Sequence, residues 1–383
     1  MSFLGYERPD GTAGIRNWVG VISVQDNLNP VTRAICQGIY GTLPITTLFV
    51  RGQFGPDLEY AYSTLAGMGR NPNIAAALVV GLEPESTSVV ADRIRNSGKP
   101  VETVVIQNLG GTIAATADGM RRAKRLVVEA SKQRRRELPT DRLIVAVECG
   151  GSDTTSGLAS NPAIGRVADR IVDEGGTVII SETSEFLGAE DLFAARAATP
   201  AVREAFLKRV LDHERDAMTR GVDIRGANPV PDNIRGGLTT IEEKALGAMS
   251  KAGTRPLVGV LDYAEWPTRK GLHFMYTPAP AVESMTGKAA GGCQMILFST
   301  GVGNSIGNMV APTVKVTGNA NTARDFADNV DFDVSGILER DQSLTEAGDA
   351  LYDFAMGVAS GTRTASEVLD QRETAISRFQ PTI

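Results

Sequence analysis

At 383 residues the chain exceeds the size at which one hydrophobic core usually divides, so two domains are expected. Its 42% hydrophobic and 22% charged residues are those of an ordinary globular protein, and a net charge of -6 excludes the broad basic face that binding to nucleic acid needs. The N-terminal residues lack the charged segment and apolar stretch of an export signal, and no run reaches the ~20 apolar residues of a membrane span, so the cytoplasm is the expected location.

In chain order, short apolar β-branched runs alternate with amphipathic helical stretches, the pattern of an α/β protein with mostly parallel sheets. Strands are predicted over Trp18–Val24, Thr46–Val50, Ala76–Val80, Val101–Ile106, Leu143–Val147, Gly176–Ser181, Leu257–Leu261 and Met295–Ser299. Helices are predicted over Pro30–Tyr40, Tyr60–Met68, Ser86–Ser97 and Ile164–Glu174. Thr116 to Arg142 reads as one long helix ending in a charge run, which places the boundary between two Rossmann-like α/β domains, 1–140 and 141–383. The tail, Leu344–Phe379, reads as two closing helices.

Three segments carry polar residues at strand ends. Glu148-Cys149-Gly150-Gly151-Ser152-Asp153 follows a strand and precedes a helix, which makes it either an anion site for a substrate carboxylate or a tight capped loop. Glu182 and Glu185 follow the Gly176–Ser181 strand; such a pair can hold a divalent cation, act as acid and base, or form an acidic surface turn. Thr239-Thr240 with Glu242-Glu243 reads as a capping box that brings Lys244 near the preceding loop. The Gly301–Asn308 loop resembles a dinucleotide fingerprint too loosely to imply a nucleotide cofactor, and none is expected. Cys36, Cys149 and Cys293 match neither a zinc nor a disulfide spacing, and with two histidines any metal would depend on hard oxygen ligands.

These clusters, in this order, resemble the altronate and D-galactarate dehydratases over nearly the whole chain. The resemblance is carried by Gly14-Ile15-Arg16-Asn17, the Glu148–Asp153 loop with Ser156-Gly157 and Asn161-Pro162, Glu182, Glu185, Gly236-Gly237 with Glu243-Lys244, Phe298-Ser299-Thr300-Gly301, and Pro312-Thr313-Val314-Lys315. It implies a lyase acting on a small anionic 2-hydroxy acid, with Glu148, Asp153, Glu182, Glu185 and Lys244 as catalytic residues. Arg16, Asn17, Arg51, Ser152, Ser299, Thr313 and Lys315 would bind substrate. It also implies a divalent metal, iron, manganese or magnesium, for which Glu182 and Glu185 are the candidate ligands. Because the chain starts at the region matching the catalytic part of the family, a separate small subunit is expected, within an oligomer. Where the family tends to carry cysteine or histidine, this chain has Asp26-Asn27, Arg51, Glu83-Pro84 and Ala248. Sulfite leaves without a Lewis acid whereas hydroxide leaves poorly. The substitutions, with Arg51 as an added cation, therefore point first to (2R)-3-sulfolactate yielding pyruvate and sulfite. Dehydration of a sugar acid to a 2-keto-3-deoxy acid is the alternative. A non-catalytic binding subunit is a third reading, opposed by the joint retention of Glu148, Asp153, Glu182, Glu185, Lys244 and Lys315.

Overall fold

The computed structural model describes residues 1–378. Its first strands, β1 (Ser2–Glu7) and β2 (Ala13–Gly14), are antiparallel to one another. Next comes a four-stranded sheet of β3 (Trp18–Ser23), β4 (Thr42–Ile45), β5 (Ile74–Gly81) and β6 (Val101–Val105), ordered β4-β3-β5-β6 and parallel throughout. β5 is buried at every position, which is why it reads as an unbroken apolar run rather than an alternating one. A short strand β7 (Arg136–Pro139) then returns to pair antiparallel with β1.

The remaining strands form one seven-stranded sheet. They are β8 (Ile144–Cys149), β9 (Thr177–Ile180), β10 (Leu257–Leu261), β11 (Gly271–Met275), β12 (Met295–Ser299), β13 (Thr313–Thr317) and β14 (Phe332–Asp333). Their order is β10-β11-β9-β8-β12-β13-β14, again parallel. The mostly parallel α/β class expected from the sequence is thus the observed one.

One apolar core joins the four-stranded sheet to one face of the larger sheet, with Ala146, Ile179, Ile296 and Phe298 facing the helix Ala281–Ala290. A second core lies on the other face, beneath the helices Asn161–Asp173 and Leu344–Ala359. Asn71 and Asn73 stitch the two parts together: the Asn71 amide donates to the carbonyls of Ala289 (2.7 Å) and Cys293 (2.9 Å), and that of Asn73 to Gln294 (2.8 Å) and Val310 (2.9 Å).

Two expectations fail. The predicted helix Thr116–Arg142 is a helix over Thr112–Ala130 followed by β7; Leu138 is buried and its neighbours are exposed, a strand alternation hidden inside a charge run. The predicted strand Thr46–Val50 lies beyond the actual one, Thr42–Ile45, whose register against β3 is set by tertiary pairing. The tail carries the two helices expected of it, Leu344–Ala359 and the short Ala365–Val368; Phe379 lies outside the described residues.

Candidate active site

β8 lies between β9 and β12, the strand order reverses between β8 and β12, and open α/β sheets bind ligands at the carboxyl ends of strands at such a point, where the loop after β8 begins. Glu148 and Cys149 end β8; Ser181 and Glu182 follow β9. Glu182 adopts a left-handed conformation, φ 70°, which non-glycine residues hold only when surroundings over-determine it, often at functional sites. Its carboxylate lies across the end of β8, accepting from the Cys149 backbone N–H (3.3 Å) and thiol (3.2 Å).

Around these residues is a fully buried charged cluster. Lys251, just past the helix Ile241–Ser250, sits 2.7 Å from Glu182 Oε2 and 3.1 Å from Cys149 Sγ. Lys288, from the helix Ala281–Ala290, pairs with Glu148 and donates to the Val147 carbonyl (2.7 Å). Ser284 donates to Glu148 Oε2 (2.7 Å). Burial, then the charge of Glu182, pushes Glu148 up to about 8. Glu182 is held below the ordinary carboxylate value although burial opposes this, because Lys251 and Lys288 outweigh it. Burial and the nearby Glu182 charge push the Cys149 thiol up to about 12, so it is no nucleophile.

Outside this cluster lies a cleft of about 390 Å³, with Ser152, Asp153, Asn161 and Lys244 among its lining residues. Asp153 organises its loop: Oδ1 accepts from Thr155 Oγ1 (2.7 Å) and the Ser156 N–H (2.9 Å), and Oδ2 from the Asn319 amide (2.9 Å). Thr154 donates its N–H to the Gly236 carbonyl (3.1 Å), and a Cβ on Gly236 would come within 2.7 Å of Asp153 Cβ, so the Gly-Gly step permits this close approach. Thr240 caps the Lys244 helix by accepting from the Glu243 N–H (3.1 Å), while the Glu243 carboxylate reaches back to Thr239 rather than to the cap residue. The capped first turn carries Lys244 into the cleft, 3.1 Å from Glu185 Oε1 and 2.7 Å from Asn228 Oδ1. Lys244 is therefore not an exposed helix lysine.

The structure brings together Ser152, Asp153 and Lys244 at the cleft, with Glu185 buried against Lys244, and places Glu148 and Glu182 behind it. The other expected ligand residues lie elsewhere. Arg16 is consumed by Glu367 and by the carbonyls of Ile15, Val358 and Thr362. Asn17 bridges the Ala130 carbonyl and Arg8. Ser299 bonds Ser160 (2.8 Å), and Thr313 accepts from the Asn308 N–H (3.1 Å). Lys315, two strands from β8, donates to Gln371 (2.7 Å). Arg51 is exposed on the turn after β4 and does not line the cleft. Arg16, Asn17, Ser299, Thr313 and Lys315 all lie in the motifs that carry the family resemblance, but their hydrogen bonds are internal.

Lys251 and Lys288 escaped sequence reasoning. Lys251 reads as an ordinary cation at a helix C-terminus. Lys288 is the more legible, a single cation on a helix whose other residues from Ser284 to Ala290 are small or apolar.

A divalent cation does not fit the candidate ligands Glu182 and Glu185. Each faces a lysine ammonium where a cation would sit, and among the described residues no three His, Cys, Asp or Glu side chains gather as a metal site. Glu83, in the position where cysteine or histidine is common in the resembling family, instead caps the helix Pro84–Arg95 by accepting from the Ser86 N–H (3.0 Å).

Residues 140–382 match the family model for the D-galactarate/altronate dehydratase C-terminal region, and residues 5–131 the model for the second domain of D-galactarate dehydratase/altronate hydrolase. The chain belongs to the D-galactarate/altronate dehydratase family. Within it, a relative from Chromohalobacter salexigens named (2R)-sulfolactate sulfo-lyase subunit beta is 43% identical, covering 99% of this chain and 97% of the relative. Altronate dehydratase of Escherichia coli is 31% identical over 99% of this chain but 78% of its own length. Galactarate dehydratase (L-threo-forming) of the same organism is 29% identical over 94% of this chain and 73% of its own. About a quarter of each dehydratase thus has no counterpart here. None of the described helices is long and apolar enough to cross a membrane.

Proposed function

We propose that this member of the family is the catalytic large subunit of a cytoplasmic carbon–sulfur lyase that converts (2R)-3-sulfolactate to pyruvate and sulfite. The observation that carries this reading is the end-to-end match, at 43% identity, to a relative named as a sulfo-lyase subunit. That relative's name, subunit beta, also supports a separate small subunit as partner.

The cleft supports the chemistry. Elimination removes the weakly acidic proton on C2, and the C–S electron pair leaves from C3 with sulfite. Once the C2 proton is gone and before sulfite departs, negative charge sits on the carboxylate as an enediolate, which a pre-placed cation stabilises. Lys244 supplies that cation. Glu185, 3.1 Å from Lys244 with Oε2 lacking a donor, is the base that takes the C2 proton. The Ser152–Thr154 loop holds the substrate's far end. The enol of pyruvate released by this step becomes pyruvate by gaining a proton at C3 and losing the one on its C2 hydroxyl.

A second reading, sugar-acid dehydration, is favoured by the neutral lining groups Ser152, Thr154, Ser156 and Asn161, which suit hydroxyls. One experiment separates the two. The chain, reconstituted with its small subunit, is assayed in parallel with (2R)-3-sulfolactate, altronate and galactarate for sulfite, pyruvate and 2-keto-3-deoxy acids. Sulfite with equimolar pyruvate is the expected result. Turnover of altronate or galactarate with no sulfite from sulfolactate would overturn the substrate assignment.

A further inference from the structure

In the wall of the cleft a polar atom is left without a partner. Asn161 opens the helix Asn161–Asp173 directly after a π-helical turn, Ser156–Ser160, of a kind that recurs at functional sites. Its side chain lines the cleft and is 2% exposed. The Asn161 amide nitrogen donates to the Gly247 carbonyl (2.9 Å), which also accepts from Ser250 Oγ (2.7 Å). That contact fixes which end of the amide is which, because an amide oxygen turned toward a carbonyl would be repelled. Gly157 and Gly247 let the two backbones meet here: a Cβ on Gly247 would come within 3.1 Å of the Gly157 Cα. Oδ1 is therefore held away from Gly247, shielded from water and with no hydrogen-bond donor. An amide oxygen only accepts, and a buried acceptor left unmatched is unfavourable, so it calls for a donor supplied from the cleft.

We propose that Asn161 recognises the substrate's C2 hydroxyl, accepting its hydrogen bond at Oδ1, and so makes the cleft specific for a 2-hydroxy acid. The assignment rests on the reading of this cleft as the elimination centre. It follows from the chemistry of the ligand. In 3-sulfolactate the carboxylate and the sulfonate only accept, so the C2 hydroxyl is the one donor the molecule carries. Lys244 and the Ser152–Thr154 loop offer donors to the two anionic ends, and Asn161 offers the complementary acceptor. With three of the four substituents on C2 held, the fourth, the hydrogen that Glu185 removes, takes a single direction. An amide is too weak a base to take the hydroxyl proton, so the C2 oxygen stays protonated until the enol has formed. A site built around a hydroxyl also rejects the analogue that lacks it, because the buried acceptor is then left bare.

The test uses the enzyme reconstituted with its small subunit, and the deoxy analogue 3-sulfopropanoate as a competitive inhibitor. Asn161→Leu keeps the volume of the side chain and removes the acceptor. It should lower kcat/KM for (2R)-3-sulfolactate by about tenfold or more and leave Ki for 3-sulfopropanoate within about twofold, since the analogue has no hydroxyl to be recognised. A purely structural asparagine would weaken both alike. That result, or an unchanged kcat/KM, would overturn the proposal. Should Asn161→Leu not fold, Asn161→Ala is read in the same way, and a crystal structure of the wild type with 3-sulfopropanoate bound decides without any variant. C2 should then lie within about 4 Å of Asn161 Oδ1, and a more distant C2 would sink the assignment. If altronate is turned over in place of sulfolactate, altronate and 2-deoxyaltronate replace the sulfonates; the substrate reading then fails while Asn161 is still tested. Equal losses with a sulfolactate that reacts would remove Asn161 and leave the lyase reading standing.

Discussion

Arg16 grips Glu367 with two parallel bonds, Nε to Oε1 and Nη2 to Oε2, each 2.7 Å, tying the start of the chain to its tail across 351 positions. The same guanidinium donates to the carbonyls of Ile15, Val358 and Thr362, so none of its donors is left for a ligand. Arg16 is an architectural residue where sequence reasoning expected a substrate contact.

Arg16→Ala should accordingly destabilise the fold by about 3 kcal/mol, because it strips the two-pronged ion pair from the half-buried Glu367 carboxylate and leaves it the Thr364 N–H and Arg363 at 3.6 Å, while KM of the folded fraction stays unchanged. Glu367 titrates below its ordinary 4.5; burial opposes this and the Arg16 contact outweighs it. A carboxylate depressed in the folded state stabilises above its unfolded value and loses that contribution as pH falls through the folded one. The difference between wild type and Arg16→Ala should therefore shrink below about pH 4.5. Denaturant unfolding at pH 7 and pH 4 checks both parts, and a KM effect without a stability loss would restore Arg16 to the substrate.

Asp153→Ala removes the acceptor that holds Thr155, Ser156 and Asn319 around the glycine loop. The expected loss is about 1–2 kcal/mol, that of a helix or turn cap. Because the loop lines the cleft, KM should rise more than kcat falls. Equal loss in kcat with unchanged stability would make Asp153 a reacting group.

Lys244→Met should lower kcat by roughly 10²-fold, the size seen when one pre-placed electrostatic stabiliser is removed, with Lys244→Arg recovering part of it. Glu185→Gln should lower kcat at least as far. Steady-state sulfite release measures both, and wild-type kcat in either variant would remove that residue from the mechanism.

Burial depresses Lys315 from its ordinary 10.5 to about 8. Between these values the unfolded chain binds the extra proton, so this group makes stability rise with pH through the window, from a penalised ammonium below about 8 to a neutral amine above. Lys315→Met should flatten that rise in unfolding curves taken at pH 8 and pH 10. Identical pH slopes in the two proteins would show that Lys315 is solvated.

Local pattern carried much of this protein. The runs Leu257–Leu261 and Met295–Ser299 appear as strands at the bounds their β-branched and apolar composition indicates. The capped start of the Lys244 helix was legible because capping is settled within four residues. Pairing between distant segments was not legible. β7 hides in a charge run because its partner, β1, lies about 130 residues earlier, and β11, with both faces buried between β9 and β10, has no alternation to betray it.

By itself, then, the sequence determined the α/β class, the family, and which strand ends bear acidic and glycine-rich loops, since each follows from residues adjacent along the chain. Only the tertiary structure decided which of those residues meet. Motifs preserve residue types whether they face a ligand or a hydrogen bond inside the fold, so Arg16, Asn17, Ser299, Thr313 and Lys315 could not be told from Ser152 and Lys244 until their partners were known. The pairing of Glu148, Glu182 and Glu185 with Lys288, Lys251 and Lys244 was equally hidden. In the first two pairs the partners lie far apart in sequence, and what joins each is the high free energy of an unpaired charge in a buried strand end.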